Sequence, residues 1–218
     1  HCHTRRQRQM CIRDRQINLD RFSLFFPEKR AFFLENAGLF SIGESTRGGS
    51  ELSMFFSRRI GIDEIGQQIP ITAGGRLTGT FSDMRVGLLS MSTKSEDFSI
   101  VRLKKEMPNR TFFGGMVTNL NDLSTSGYSN QVYALDGQLG IGEISQIDGF
   151  MAISKTPNLS NDKAYSYRLS ASRSAQAVQT VMSYTEIGEN FNPEMGFLKR
   201  SGGYLSLIHI SEPTRLLA

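Results

Sequence analysis

The sequence predicts an all-β protein whose strands follow one another as an antiparallel up-and-down meander. Clusters of Gly, Pro, Asn, Asp and Ser recur along the chain and leave segments of about 8–12 residues between them, the spacing of consecutive strands. Several of these segments alternate apolar and polar residues, and none shows a sustained helical repeat. This pattern predicts part of a transmembrane β-barrel or, as the alternative, a soluble β-sandwich.

One helix and nine strands are predicted in chain order. The helical segment is 28–39, because Pro27 suits the first turn of a helix. The predicted strands cover 52–60, 69–81, 84–94, 98–107, 110–120, 131–142, 145–155, 163–174 and 176–186.

Alternation is clearest in the strand predicted over 163–174. Tyr165, Tyr167 and Leu169 fall on one face of that strand, and Arg168 falls on the other. The segment FSIVRLKKE alternates poorly, and its faces cannot be assigned from the sequence.

The strand predicted over 131–142 places Asp136 and Gln138 opposite its Tyr, Leu and Ile residues. In a sandwich the apolar face is the core, whereas in a barrel it meets lipid and the polar face lines a lumen. Asp136, Gln138 and Arg168 are therefore candidate polar lumen residues.

The two termini differ in composition from the rest of the chain and contain all three His and both Cys residues. A nucleotide sequence that encodes 10–14 and runs into the next codon, read as its reverse complement, encodes Leu-Ser-Leu-Ile-His and then Ile or Met, which matches LSLIHI at 205–210. Both segments resemble the translated transposon end of transposase-based sequencing libraries. We therefore expect 1–15 and 205–218 to be adapter-like artefacts that form no domain and are irregular in structure. The remaining 16–204 is expected to be a partial β-barrel domain, an internal piece of a longer protein.

Without these termini, the composition excludes several classes of function. Five Arg and one Asp leave with 1–15, and one Arg and one Glu leave with 205–218, so Lys+Arg falls from 25 to 19 and Asp+Glu from 21 to 19. The net charge of +4 then becomes zero, which argues against a nucleic-acid partner. No Cys or His remains for a disulfide, a thiol nucleophile or a zinc site, and the oxygen-rich turns lack calcium-loop spacing. No metal or cofactor is predicted.

Three motifs carry a resemblance to a known family. They are RFSLFFPEKRAFFLENAGLFSIG at 21–43, LSMFFSRRIGI at 52–62 leading into IPITAGGRLTGTFSDMRVGLLSMST, and IGENFNPEMGFLKR at 187–200. In this order and spacing they resemble the bacterial family called domain of unknown function 5916. The resemblance implies an outer-membrane β-barrel that commonly follows a domain similar to family-9 carbohydrate-binding modules. It implies no catalytic residues.

Two groups of residues are candidates for a structural motif. Arg58 and Arg59 follow an apolar run, and as neighbours in a strand they would face opposite ways, one toward a lumen and one toward a rim. The second group is the polar cluster Glu189, Asn190, Asn192 and Glu194. With Glu28 and Glu35 its carboxylates could be read as a glycosidase acid pair, but loop clusters of this kind are common and no activity is predicted for this fragment.

The expected function is that of a fragment of an outer-membrane β-barrel, which anchors a module or serves glycan binding or uptake. The expected partners are the lipid bilayer and a carbohydrate ligand bound through a missing N-terminal domain. The alternatives are a soluble carbohydrate-binding β-sandwich module and part of a carbohydrate-active hydrolase.

Overall fold

The computed structural model describes residues 28–46, 49–62, 68–124, 127–175 and 178–213. No helix in these ranges is long and apolar enough to cross a membrane. The described strands are β1 (Gly43–Thr46), β2 (Gly49–Ser53), β3 (Ile71–Phe81), β4 (Met84–Thr93), β5 (Glu96–Met107), β6 (Thr111–Asp122), β7 (Ser129–Ile141), β8 (Ser145–Lys155), β9 (Tyr165–Ser174), β10 (Val178–Ile187), β11 (Phe197–Leu198) and β12 (Tyr204–Pro213).

The architecture is an antiparallel up-and-down meander, as the sequence predicts. Within the described residues, nine strands form one sheet in the order β12-β10-β9-β8-β7-β6-β5-β4-β3. From β3 to β10 each strand pairs with the next one along the chain, and the sheet is open, with β3 and β12 at its edges. Eight predicted strands match β3 to β10 to within a few residues at each end.

The predicted strand over 52–60 is wrong beyond Ser53. The chain leaves β2 at Ser53 and forms a 3-10 helix, η2 (Ser57–Arg59). The Arg30 guanidinium donates hydrogen bonds to the carbonyl oxygens of Ser57 and Ile60 at 2.7 and 2.9 Å, which fixes this turn. A long-range side chain therefore overrides the local β propensity of the segment.

The predicted helix over 28–39 is divided into two short helices. They are α1 (Ala31–Leu34) and the 3-10 helix η1 (Ala37–Phe40), separated at Asn36, which has a left-handed φ of 52°. The Arg76 guanidinium of β3 binds the carbonyl oxygens of Phe32 and Glu35, so carbonyl groups at the end of α1 are satisfied without a further helical turn.

The expectation of an irregular C-terminal segment is also wrong over the described part of it. Residues 204–213 form β12, which pairs with β10 from Ile187↔Tyr204 to Val178↔Pro213. Successive side chains of LSLIHI point to opposite faces of the sheet, as in any strand, so the segment can pair with the edge strand β10 whatever its origin. The adapter origin of 205–218 remains a prediction, and 1–15 lies outside the described residues.

A smaller layer covers one face of the large sheet. It consists of α1, η1, η2 and a three-stranded sheet of order β1-β2-β11, and we call it the covering layer. One apolar core joins the covering layer to β4–β8; its most buried members include Leu52, Met54, Ile60, Phe98, Ile100, Met116, Val132 and Met195. We call the sheet face under this layer the covered face and the opposite one the open face.

The covering layer explains the poor alternation of FSIVRLKKE. Phe98, Ile100 and Arg102 lie on the covered face and are buried, whereas Val101 and Leu103 lie on the open face and are exposed. Both faces of β5 are therefore apolar over this stretch. A strand with two apolar faces does not show a period of two in its hydrophobicity.

Glu28 joins two parts of the covering layer. Its carboxylate accepts hydrogen bonds from the Arg30 guanidinium at 2.8 Å and from the Ser57 hydroxyl at 2.5 Å. Burial opposes ionisation of Glu28, but these hydrogen bonds outweigh it and lower the pKa of its carboxyl to about 2. The charged carboxylate thus holds α1 against η2.

Candidate functional site

The open face of the large sheet is apolar over its central rows. Cross-strand pairing places Leu88, Val101, Val117, Tyr133 and Ile153 in one continuous row, although each of them is exposed. Further exposed apolar side chains on the same face are Leu77, Leu103, Phe113, Leu135, Leu139, Ile147, Met151, Leu169 and Met182. Isolated exposed apolar residues are ordinary, but a contiguous face of them indicates contact with another apolar phase or surface.

Charged residues of the open face lie near the ends of β5, β8, β9 and β10. Asp97 is one residue from the start of β5, and Lys105 is two residues from its end. The same holds for Lys155 at the end of β8, Arg173 near the end of β9 and Glu186 near the end of β10. The charges therefore flank an apolar band that crosses these strands.

Tyrosines mark one edge of that band. Tyr165 and Tyr167 stack with ring centroids 6.0 Å apart, and Tyr167 stacks with Tyr184 at 5.8 Å. All three hydroxyls donate hydrogen bonds to the Glu186 carboxylate, at 2.6 to 2.8 Å. The group lies at the end of the sheet where β9 begins and β10 ends, which we call the loop end.

The covered face carries a buried ion pair. Arg102 of β5 binds Asp136 of β7 with two parallel hydrogen bonds, Nη1–Oδ1 at 2.6 Å and Nη2–Oδ2 at 2.7 Å. The Arg102 side chain is 1% exposed and that of Asp136 is 11% exposed. Arg102 Nε also donates to the Leu39 carbonyl of η1 at 3.0 Å, so the pair connects the sheet to the covering layer.

Gly114 of β6 makes room for this pair. A Cβ atom at Gly114 would lie 2.6 Å from Arg102 Nη1 and 2.8 Å from Asp136 Oδ1. The Arg102 guanidinium therefore crosses β6 at Gly114, where no side chain stands between it and Asp136. Arg102 could not be predicted as a site residue, because β5 carries apolar residues on both faces and the sequence around Arg102 does not alternate.

The three candidate lumen residues share the covered face, opposite the apolar band. Asp136 and Arg168 belong to one cross-strand row, with Phe150 between them. Gln138 occupies the next row and donates to the Arg110 carbonyl at 2.7 Å, and Arg168 lies 3.9 Å from Asp148. The Asp136 carboxylate binds the Arg102 guanidinium, and its place in a lumen stays a prediction.

A cleft of about 630 Å³ lies between the covering layer and the loop end of the sheet. Its lining includes the buried side chains of Phe98 and Leu120 and, around them, the polar groups of Arg59, Tyr128 and Glu194. Glu96, Asp122 and Asn192 also line it. The cleft is thus apolar in part and acidic in part.

Glu194 is held in place by hydrogen bonds from two other cleft residues. The Tyr128 hydroxyl and the Asn192 amide both donate to Glu194 Oε1, at 2.5 and 2.9 Å. Arg59 Nε donates to the Glu194 carbonyl at 3.0 Å. Behind them, the fully buried Asn130 donates its amide to the Asn192 carbonyl at 3.0 Å.

The structure brings together only part of the motif that the sequence suggested. Arg59, Asn192 and Glu194 line the cleft, whereas Glu189 pairs with Lys163 at 3.3 Å and the Asn190 amide donates to the Asp162 carbonyl. Arg58 and Arg59 lie in η2, so their predicted placement on opposite faces of a strand is wrong. Tyr128 was not predicted, and nothing in the local sequence signals its contact with Glu194.

The carboxylates considered as a glycosidase acid pair have separate partners. Glu28 binds Arg30 and Ser57, Glu35 forms an ion pair with Arg76, and Glu189 pairs with Lys163. Within the described ranges, no group of three or more His, Cys, Asp or Glu side chains is arranged to hold a metal ion.

No family model, curated protein or solved structure matches the chain.

Proposed function

We propose that the chain is part of an outer-membrane β-barrel, with its open face against lipid and its covered face toward an enclosed polar space. The observation that carries the proposal is the exposed apolar band with charges near the strand ends. In a membrane barrel the outward residues form such a band, about 25 Å tall, flanked by aromatic residues at both interfaces. The resemblance to domain of unknown function 5916 supports the same location.

Strand length and aromatic placement agree with this proposal. Strands β3 to β10 have 10 to 13 residues, and a tilted transmembrane strand needs about 9–11. Tyr165, Tyr167 and Tyr184, near one end of their strands, would form one aromatic girdle, and Phe81 and Phe113 lie toward the opposite end of the sheet. The partners are then the bilayer and, through another part of the protein, a glycan.

The covered face fits the inside of such a barrel. On β8, β9 and β10 this face includes small hydroxyl residues that are buried, namely Ser154, Ser166, Ser170, Ser183 and Thr185. The covering layer itself would fill part of the enclosed space, since the Arg102–Asp136 pair attaches it to the sheet. The fragment would anchor a module or serve the uptake of a solute.

A single substitution in the middle of β7 tests the proposal. Leu135 is 59% exposed on the open face, and Leu135→Arg would place a charge in the apolar band. A charge facing lipid at the midplane costs about 2–4 kcal/mol, so the partition constant of the full chain into phosphatidylcholine vesicles should fall about 30-fold or more. Leu123→Arg is the matched control, because Leu123 is 56% exposed but lies outside the strands.

Vesicle co-flotation measures the effect. We expect the unmodified chain and Leu123→Arg to float with the vesicles and Leu135→Arg to remain largely in the aqueous fraction. If the chain folds cooperatively in buffer, ignores vesicles and tolerates Leu135→Arg, the membrane proposal fails and the soluble β-sandwich module takes its place.

A further inference from the structure

We infer that the open face binds one phospholipid whose headgroup ends in a primary ammonium, as that of phosphatidylethanolamine does. The Glu186 carboxylate at the loop end receives the ammonium, and a shallow groove beside it receives an acyl chain. The inference rests on the membrane proposal, because it names a lipid for the surface that the proposal places against the bilayer. It goes further by giving that surface a chemical preference.

The groove has a volume of about 450 Å³ and crosses β7 and β8 on the open face. Gly137 and Gly149 lie on its floor, where they face each other in the β7–β8 pairing and carry no side chain. Exposed apolar side chains flank the two glycines in the neighbouring rows, namely Leu135 and Met151 on one side and Leu139 and Ile147 on the other. The backbone groups of the floor already pair within the sheet, so a hydrocarbon chain gains apolar contact there without leaving a polar group unpaired.

The groove is closed at one end and meets the tyrosine group at the other. At the β6 end, the Phe113 ring leans over the floor, since a Cβ atom at Gly137 would lie 2.9 Å from Phe113 Cδ1. At the β9 end, Tyr167 lines the groove, and its hydroxyl donates to Glu186 Oε2 at 2.6 Å. The Glu186 carboxylate therefore lies beside the groove, separated from its wall by one hydroxyl group.

Glu186 has no cationic partner among the described residues. Its donors are neutral: the Tyr165 hydroxyl binds Oε1, and the Tyr167 and Tyr184 hydroxyls bind Oε2. A carboxylate has about four lone-pair positions, so Oε1 can accept one more hydrogen bond. An unpaired charge at the edge of an apolar band calls for a counter-ion, and a headgroup ammonium supplies the positive charge together with an N–H donor.

The free position on Oε1 separates two zwitterionic headgroups. A primary ammonium has three N–H donors, whereas the trimethylammonium of phosphatidylcholine has none and cannot donate to Glu186. Tyrosines at a membrane interface lie at the level of the headgroups, so the carboxylate would meet a headgroup rather than hydrocarbon. A charge-assisted hydrogen bond of this kind corresponds to a preference of about tenfold for the primary ammonium.

Co-flotation of the full chain with vesicles of phosphatidylcholine, and of equal parts phosphatidylcholine and phosphatidylethanolamine, tests the inference. With a tenfold preference at one site, replacing half of the lipid should raise the partition constant about fivefold. Glu186→Gln should lose this increase and keep its partition into phosphatidylcholine alone. Glu189→Gln is the matched control and should keep the increase, because Glu189 lies three positions further along the chain and pairs with Lys163.

Two results overturn the inference and leave the membrane proposal intact. One is equal partition of the unmodified chain into both kinds of vesicle. The other is an increase that persists in Glu186→Gln, since phosphatidylethanolamine would then act through the bilayer and not through the carboxylate. If Glu186→Gln no longer enters phosphatidylcholine vesicles, Glu186→Asp takes its place, and its shorter side chain should reduce the increase. A chain that floats with neither kind of vesicle refutes the membrane proposal and this inference with it.

Discussion

Replacing Asp136 with Leu should destabilise the protein by about 3–5 kcal/mol. The change removes the partner of a guanidinium that is 1% exposed and, among the described residues, leaves Arg102 with the Leu39 carbonyl as its hydrogen-bond acceptor. Breaking a buried ion pair on one side has this cost because an uncompensated charge stays in the interior. The exposed pair Arg85–Glu106 is the control, and Glu106→Gln should cost less than about 1 kcal/mol.

The double variant Arg102→Met/Asp136→Leu separates the ion pair from simple loss of packing. Replacing both partners with apolar side chains removes the buried charge together with its counter-ion, so most of the stability should return. Urea titration of the chain in zwitterionic detergent, followed by far-UV circular dichroism, gives the free energies of unfolding. A loss below about 1 kcal/mol for Asp136→Leu, or additive losses in the double variant, would show that no uncompensated charge stays buried at Arg102.

The remaining predictions concern backbone space, acidity and the C-terminal strand. Gly114→Ala should cost about 1–3 kcal/mol by separating Arg102 from Asp136, whereas Gly79→Ala, with no atom within 4 Å of the new Cβ, should be tolerated in the same urea titration. The lowered pKa of Glu28 stabilises the fold above pH 4.5, and this contribution should disappear as the pH falls toward about 2. The difference corresponds to at most about 3 kcal/mol, which screening at the partly exposed Arg30 reduces to about 1–2 kcal/mol. Glu28→Gln should abolish this acid-dependent loss, and an unchanged pH profile would contradict it. Deleting 205–218 should expose the edge of β10 and increase self-association in light scattering.

The meander could be predicted from the sequence because its signals are local. Turn clusters recur between β3 and β10, and alternation in β7 and β9 places Asp136, Gln138 and Arg168 on one face, as observed. The apolar residues opposite them are exposed, as a lipid-facing band requires, although the same period of two is compatible with a sandwich core.

The covering layer and the cleft could not be predicted because they depend on contacts between distant parts of the chain. Arg30 reaches η2 and Arg76 reaches α1, and these contacts replace the helix and strand that local propensity indicates there. The cleft joins Tyr128 to Glu194, which are 66 positions apart in the sequence. A polar cluster in the sequence shows which polar residues are close together along the chain. It does not show which distant residue the fold brings into contact with them.

Collision of a spin label with oxygen and with a water-soluble nickel complex shows whether the open face lies against lipid. Single labels at each position from 131 to 139 of β7, in a chain whose Cys2 and Cys11 are replaced by Ser, would be measured in phosphatidylcholine vesicles. If the open face lies against lipid, collision rates should alternate with a period of two, with labels at Tyr133, Leu135 and Leu139 reached by oxygen far more than by nickel. If labels at these open-face positions collide with nickel as often as loop labels do, the open face meets water and does not lie against lipid.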